Sequence, residues 1–574
     1  MVTAKHEKQE KSIYDELSDE RKELQETGQL PAWCTTIAWQ MLKEKNLSAE
    51  CPDLKSVYNR ITKHAAKYTP NPDEWQPKFF DLLWNGWLAA STPVLSNMGT
   101  GFGCPVSCSG GEVPDSVFGF YGAQQEAAVL SKNGFGTSGY LGKIRHRGAP
   151  INGVKGGASG VLPVLKDFIQ MSRDISQGSQ RRGAWAGYIE IDHPDFYEIV
   201  NFIAKNPDDA NLGWVITDKF IALLDANDKD AVLRYQLALK TKMLTGKGYF
   251  FFVDRVNNLS PQMYKDKGLR VNASNLCSEI ALHSSEDYTF SCVLSSMNAS
   301  LYDEWKDTDA VFNATVFLDC VNQDLIEIGK TEPGMEKVVA FAEASRALGL
   351  GMLGFHTYLQ DHGIPFESMD AYYKNTEIFK HLDDESLRAS KWMAENWGEP
   401  EWCKGYGVRN SHRVAIAPNL SSALICGSVS QGIEPIYKNA YVQNTSAGKM
   451  DRVNPSLLTV MKEKGVYSDA VVKDIISNNG SVQQVDWLND EEKAVFKTAF
   501  EIDQKQIVRL ASARQRYIDQ AQSINFFFSA DESEEYISEV HKLAFKDPWI
   551  KSLYYVRSEN GVNVTKDACL ACHG

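Results

Sequence analysis

Short apolar runs of strand character alternate along this chain with helical stretches and glycine-rich loops, and that alternation limits the architecture more than any other feature. Runs such as "YFFFV" (249–253), "RVAIA" (413–417) and "SINFFF" (523–528) have the length and composition of buried strands. Separated by helical lengths of chain, they predict an α/β fold with many crossovers. A chain of 574 residues suffices for two to four ordinary domains or one oversized α/β barrel. No repeat of fixed period and no low-complexity linker divides it, so one large catalytic domain is expected.

The first 85 residues read as a helical, polar region, with a charged start up to Gly28 that has no clear anchor. From about residue 90 the texture changes. "STPVLSNMGTGFGCPVSCSG" (91–110) and "KNGFGTSGYLGKIRHRGAPINGVKGGASG" (132–160) are loops of the kind that lie against a bound molecule. After Tyr555 the last residues carry little apolar material and read as a flexible tail, 556–574.

A formal charge of −14 argues against long nucleic acid as a ligand, though a local cradle of backbone N–H groups can still hold one phosphate. No apolar signal segment opens the sequence and no run spans a membrane, so a cytoplasmic location is expected. In that compartment eleven cysteines read as thiols, ligands or redox catalysts rather than a disulfide framework. Zinc is a poor reading, because a structural site wants four tightly grouped ligands and Cys104 and Cys108 have no matching His partners nearby. Cys569-x-x-Cys572-His573 spells a c-type haem attachment, but in a tail without a pocket.

The most informative stretch is "NASNLCSEIAL" (272–282). If extended, it places Asn275, Cys277 and Glu279 on one face, an amide, a thiol and a carboxylate together. A half-buried strand with a packed cysteine fits the same pattern. Cys292 follows in "TFSCVLSSMN", and Cys104 and Cys108 lie far upstream in "GCPVSC". "APNLSSALICG" (417–427) places Asn419, Leu420, Ser421 and Ser422 where a helix N-terminus would meet a phosphate, or would simply be capped. Thr92 and Ser107 are further hydroxyls in the glycine-rich segment.

Taken in chain order, "STPVLSN", "PVSC", "SNLCSEI", "TFSCVLSSMN", "PNLSS", "SLYY" and "CLAC" resemble the catalytic α subunit of class I ribonucleotide reductases, over residues 86 to the end. The resemblance implies a ten-stranded α/β barrel of two five-stranded halves (86–555) around a central finger loop. It implies that Cys277 is the transient thiyl radical, Glu279 the base for the 3′-hydroxyl and Asn275 the group that orients the sugar. Cys108 and Cys292 become the reducing pair, Cys108 being preferred to Cys104 because it directly follows "PVS". Thr92, Ser107, Asn419, Leu420, Ser421 and Ser422 become the substrate phosphate cradle. Tyr554 and Tyr555 match a stacked pair relaying an oxidising equivalent to Cys277, and Cys569 and Cys572 a thiol shuttle. Asp115, Ser116, Arg145 and Arg181 match segments that bind a nucleoside triphosphate effector across a homodimer.

The resemblance further implies that this chain binds no cofactor or redox metal itself. The radical would come from a ferritin-like, metal-bearing β subunit, and reducing power from thioredoxin or glutaredoxin. The first 90 residues show no ATP cone. A cobalamin-dependent class II reductase and a catalytically inactive nucleotide-binding homologue are the competing readings. The tyrosine pair speaks against the first and the intact cysteine, asparagine and glutamate set against the second.

Overall fold

The computed structural model describes residues 13–175, 183–209, 211–445 and 448–558. Four helices come first: α1 Ile13–Glu26, α2 Thr36–Lys45, α3 Leu54–Ala66 and α4 Pro72–Trp84. Local chemistry sets their starts. Thr35 accepts from the Ala38 N–H, and Asp53 and Ser56 form a reciprocal capping box. From Ile13 on, the charged first helix is anchored to its neighbours. α1 is tied to α2 through Arg21 on Thr36 (3.2 Å) and Lys43 on Glu20 (2.8 Å), with Leu17 and Leu24 packed on the core. Helices α3 and α4 in turn pack on the long helix Ala310–Gly329, where His64 meets Asp324 at 2.8 Å and Phe79 meets Phe317 edge-on.

After β1 (Leu88–Ala90), strands β2 (Cys108–Glu112), β3 (Gly136–Tyr140), β4 (Trp185–Glu190), β5 (Asn211–Ile216) and β6 (Tyr249–Phe252) pair in parallel, in sequence order. They are one half of a barrel. The other half starts with β7 (Phe290–Asn298) and β8 (Leu348–Leu353), also parallel. It continues through residues 413–417, bridged to Leu350, and through 522–528, bridged to Ile416 and ending in β11 (Phe526–Phe528). Between these two segments β9 (Ala440–Thr445) and β10 (Gly448–Val453) form a separate hairpin. The last segment carries β12 (Ser552–Leu553) and β13 (Val556–Ser558), the latter parallel to β11. The halves meet antiparallel at β2 with β7 and at β6 with β12, so ten segments close on themselves.

"RVAIA" and "SINFFF" are therefore barrel segments, but not regular strands along their length. The Asp519 carboxylate accepts from the N–H groups of Arg413 and Val414 at 2.8 and 2.9 Å and takes donors a ladder would use. The run "YFFFV" shows what period two does in a barrel wall. Tyr249 and Phe251 face the interior cluster with Cys108, Cys277 and Cys292, while Phe250 and Phe252 face the outer core.

Candidate active site

Residues 271–284 enter the barrel as a finger without regular secondary structure. This is the finger loop that the resemblance implies, and the extended form considered for 272–282 is not taken. Ser278 takes a left-handed backbone (φ 64°) and its N–H donates to the Asn275 carbonyl at 3.3 Å, so the tip is a turn. The convergence expected from alternation is produced by that turn and by the barrel wall instead. Tyr188 on β4 donates to the Asn275 carbonyl (2.6 Å), Ser138 on β3 to the Ser274 carbonyl (2.8 Å), and Ser523 to the Cys277 carbonyl (2.7 Å). Asn275 Nδ2 then donates to Glu279 Oε1 at 3.0 Å and to Cys108 Sγ at 3.2 Å, and Asn275 Oδ1 accepts from the Ile280 N–H at 3.2 Å. One fully buried amide thus links the carboxylate to a thiol on the wall.

Cys108 opens β2 and sits directly opposite Cys292 in the antiparallel register with β7. Cross-strand partners have Cα atoms about 4.5–5.5 Å apart, a separation a disulfide can span; both cysteines are free thiols. Gln520 Nε2 donates to Cys292 Sγ at 3.6 Å and to the Leu348 carbonyl at 2.8 Å, and Gln520 Oε1 accepts from the Ala281 N–H. Burial, followed by the neighbouring Cys108 and Glu279 acting against the Gln520 contact, pushes the Cys292 thiol well above its ordinary range, so it stays protonated. Cys104, the alternative to Cys108, packs instead in the outer core, where burial pushes its thiol up to about 12.

The Tyr554 hydroxyl donates to Cys277 Sγ at 3.6 Å. Tyr555 follows with its ring centroid 4.0 Å from that of Tyr554, but the planes are tilted by 48°, so the pair is in contact without parallel stacking. A third ring joins them. Tyr249 lies 4.8 Å from Tyr554 and 5.6 Å from Tyr555, and its hydroxyl reaches the Tyr555 hydroxyl at 3.4 Å. Tyr249, Gln520 and Ser523 escaped the sequence reading. Only Tyr249 had a local signal, its place on the inward phase of "YFFFV".

Two short helices, Thr92–Asn97 and Leu420–Ile425, begin beside neighbouring hydroxyls of β7. The Ser91 N–H donates to Ser295 Oγ (3.3 Å), and Asn419, left-handed at φ 54°, donates from Nδ2 to Ser296 Oγ (2.8 Å). Thr92, Ser421 and Ser422 follow these anchors, and Ser107 precedes Cys108 on the adjacent strand. Leu420 is half-buried at the first turn of its helix. Ser295 and Ser296 lie three and four residues along β7 from Cys292, roughly 10–13 Å at 3.3 Å per residue.

Asp115 and Arg145 form an ion pair at 2.6 Å, and Ser116 caps the helix Val117–Lys132 by accepting from the Gly119 N–H. Arg181, Cys569 and Cys572 lie outside the described residues. Among the described residues no cluster of three or more His, Cys, Asp or Glu could hold a metal, and no helix is long and apolar enough to cross a membrane.

The family described as "Ribonucleotide reductase, barrel domain" matches residues 106–236, 234–403 and 396–556. The chain belongs to the ribonucleotide reductase large-subunit family. A Frog virus 3 (isolate Goorha) protein named for the ribonucleoside-diphosphate reductase large subunit is 35% identical over 91% of this chain and 96% of its own length. The ribonucleoside-diphosphate reductase large subunit of Invertebrate iridescent virus 3 is 30% identical over 92% and 94%. Among solved structures, the Actinobacillus ureae class Id ribonucleotide reductase alpha subunit superposes with a TM-score of 0.84 at 36% identity, over 92% of this chain and 98% of that one. As a ribonucleotide reductase large subunit the chain is an oxidoreductase of deoxyribonucleotide synthesis, and the closed barrel described above is its family fold.

Proposed function

We propose that this chain reduces ribonucleoside diphosphates by class I chemistry, with a thiyl radical at Cys277. The observation that carries the proposal is the Asn275 amide joining Glu279 to Cys108, with Tyr554 on Cys277 and Cys292 across from Cys108. In the forward step the Cys277 sulfur takes the hydrogen atom from C3′, forming S–H. Glu279 accepts the 3′-hydroxyl proton. The 2′-hydroxyl then leaves with one thiol proton as water, and the thiol pair supplies the second hydrogen and two electrons in total as the Cys108–Cys292 bond forms. As the second electron of the thiol pair reduces the 3′-ketone, Glu279 returns its proton to the 3′-oxygen, and return of the hydrogen atom from Cys277 to C3′ then restores the sulfur radical. Burial keeps the proton on the Cys292 sulfur, so the pair enters the reaction as thiols.

The phosphates would bind where the two short helices start, held by Thr92, Ser107, Asn419, Leu420, Ser421 and Ser422; Ser91 Oγ is buried there without a protein partner. Diphosphates are favoured by what the two viral relatives' names state of those proteins. A metal-bearing β subunit would supply the oxidising equivalent through Tyr555 and Tyr554. Support for that partner is the likeness to a class Id α subunit; the Tyr555 N–H is held by Asn525. Asn525 also donates to Glu434, and Glu434 and Arg557 line a cavity of about 380 Å³. Asp115, Ser116, Arg145 and Arg181 would hold a nucleoside triphosphate effector at a homodimer interface. The helix that Ser116 caps presents Val117, Phe118 and Tyr121 to solvent, Phe118 at 93% exposure.

Cys569 and Cys572 would carry electrons from thioredoxin or glutaredoxin to the buried disulfide. Cys277→Ser is expected to abolish turnover with any reductant. Cys569→Ser should abolish it with the protein reductant and spare it with dithiothreitol; equal loss under both would contradict the shuttle.

A further inference from the structure

Helix Lys229–Thr245 ends just before the strand that carries Tyr249, and its last turns bring Lys242 into the interior. The side chain has no exposed surface. Its ammonium donates to two backbone carbonyls, that of Gly248 at 3.1 Å and that of Tyr554, the tyrosine whose hydroxyl meets Cys277. The Phe250 ring lies 5.5 Å from the Lys242 nitrogen. Among the described residues no carboxylate forms an ion pair with Lys242. The charged form therefore carries the full cost of leaving water, and burial lowers its pKa to about 7. Leucine or methionine at this point of the helix would pack without that cost.

The place of the lysine suggests what the cost secures. Around Tyr554 the barrel segment is irregular: the Tyr554 N–H goes to the Ile524 carbonyl, the Tyr555 N–H to the Asn525 side chain and the Val556 N–H to the Gly246 carbonyl. The Tyr554 carbonyl is taken by a side chain from a helix 312 residues earlier in the chain. Two of these ties, Lys242 to Tyr554 and Val556 to Gly246, bind the tyrosine segment to the same helix end.

We propose that Lys242 is a positioning residue of the tyrosine relay, its buried ammonium holding the Tyr554 backbone so that the phenol stays against Cys277. The inference rests on the relay reading of Tyr554 and Tyr555. In that relay the Tyr554 O–H breaks as its electron and proton pass to the oxidised Tyr555 oxygen, forming an O–H there. The Cys277 S–H then breaks and re-forms the Tyr554 O–H, leaving the sulfur radical.

The test uses the full chain with its metal-loaded radical subunit, CDP, a matched effector and dithiothreitol. Lys242→Met removes the donors at similar volume, Lys242→Gln keeps a donor without the charge, and Tyr554→Phe is the control. Misplacement of a reacting group by about 1 Å costs on the order of 100-fold. The expected result is a fall in kcat of about that size for Lys242→Met, with KM for CDP and the melting temperature close to the parent's, and a smaller fall for Lys242→Gln. Parent-like kcat in both lysine variants beside an inactive Tyr554→Phe would overturn the inference. So would a rate loss that merely follows lost stability and lost CDP affinity. Full activity of Tyr554→Phe would instead remove the relay reading on which the inference stands.

Discussion

Cys292 and Lys242 show how burial selects chemistry one side chain at a time. Burial keeps the Cys292 thiol protonated and draws the Lys242 ammonium toward loss of its proton. The lysine gives a prediction with a definite sign. Its folded-state pKa of about 7 lies below its ordinary value of 10.5, so below pH 7 both folded and unfolded chains carry the proton and the burial cost is felt in full. Between about 7 and 10.5 the unfolded chain binds more protons than the folded one, and stability rises with pH. Parent and Lys242→Met chains unfolded in urea across that range should therefore show a stability difference that moves in the parent's favour as pH increases. A difference independent of pH would mean that Lys242 titrates normally.

At the scale of elements, what decides the site is how strands and finger meet. Glycine at 349 on β8 is one requirement of that meeting, since an added Cβ would stand 2.7 Å from Cys292 Sγ and 2.6 Å from Leu294. Gly349→Ala should destabilise the fold by about 1–3 kcal/mol through overpacking and lower dithiothreitol-supported turnover by displacing Cys292. Unchanged melting and activity would contradict the close packing. Much of the site could be read locally, because Asn275, Cys277 and Glu279 lie within five residues and the serines of 421–422 follow a strand-like run. The Cys108–Cys292 opposition could not, as the register of two strands so far apart in sequence is set only by tertiary pairing. Gln520, Ser523 and Lys242 were hidden for a related reason: a common amide, hydroxyl or amine gains its role from the carbonyl or sulfur that the barrel brings to it. The finger loop implied by the resemblance is present, but the turn at Ser278 that shapes its tip has a left-handed backbone with no glycine to announce it.

For the whole molecule, the helix Val117–Lys132 packs on β2 and β3 while turning Phe118 outward, and the proposed homodimer would form on that outward face. Phe118→Asp should convert a dimer to a monomer in sedimentation velocity with little change in melting temperature, and should weaken effector control of substrate choice. A dimer that persists in the variant would place the interface elsewhere. The central claim is that a radical delivered through Tyr555 and Tyr554 reaches Cys277 in a closed barrel. Its most direct test is dithiothreitol-supported conversion of CDP to dCDP, compared for the chain alone, with adenosylcobalamin, and with a metal-loaded radical subunit. Product is predicted only with the subunit, and none from Tyr554→Phe under the same conditions; product with adenosylcobalamin and no subunit would contradict the account.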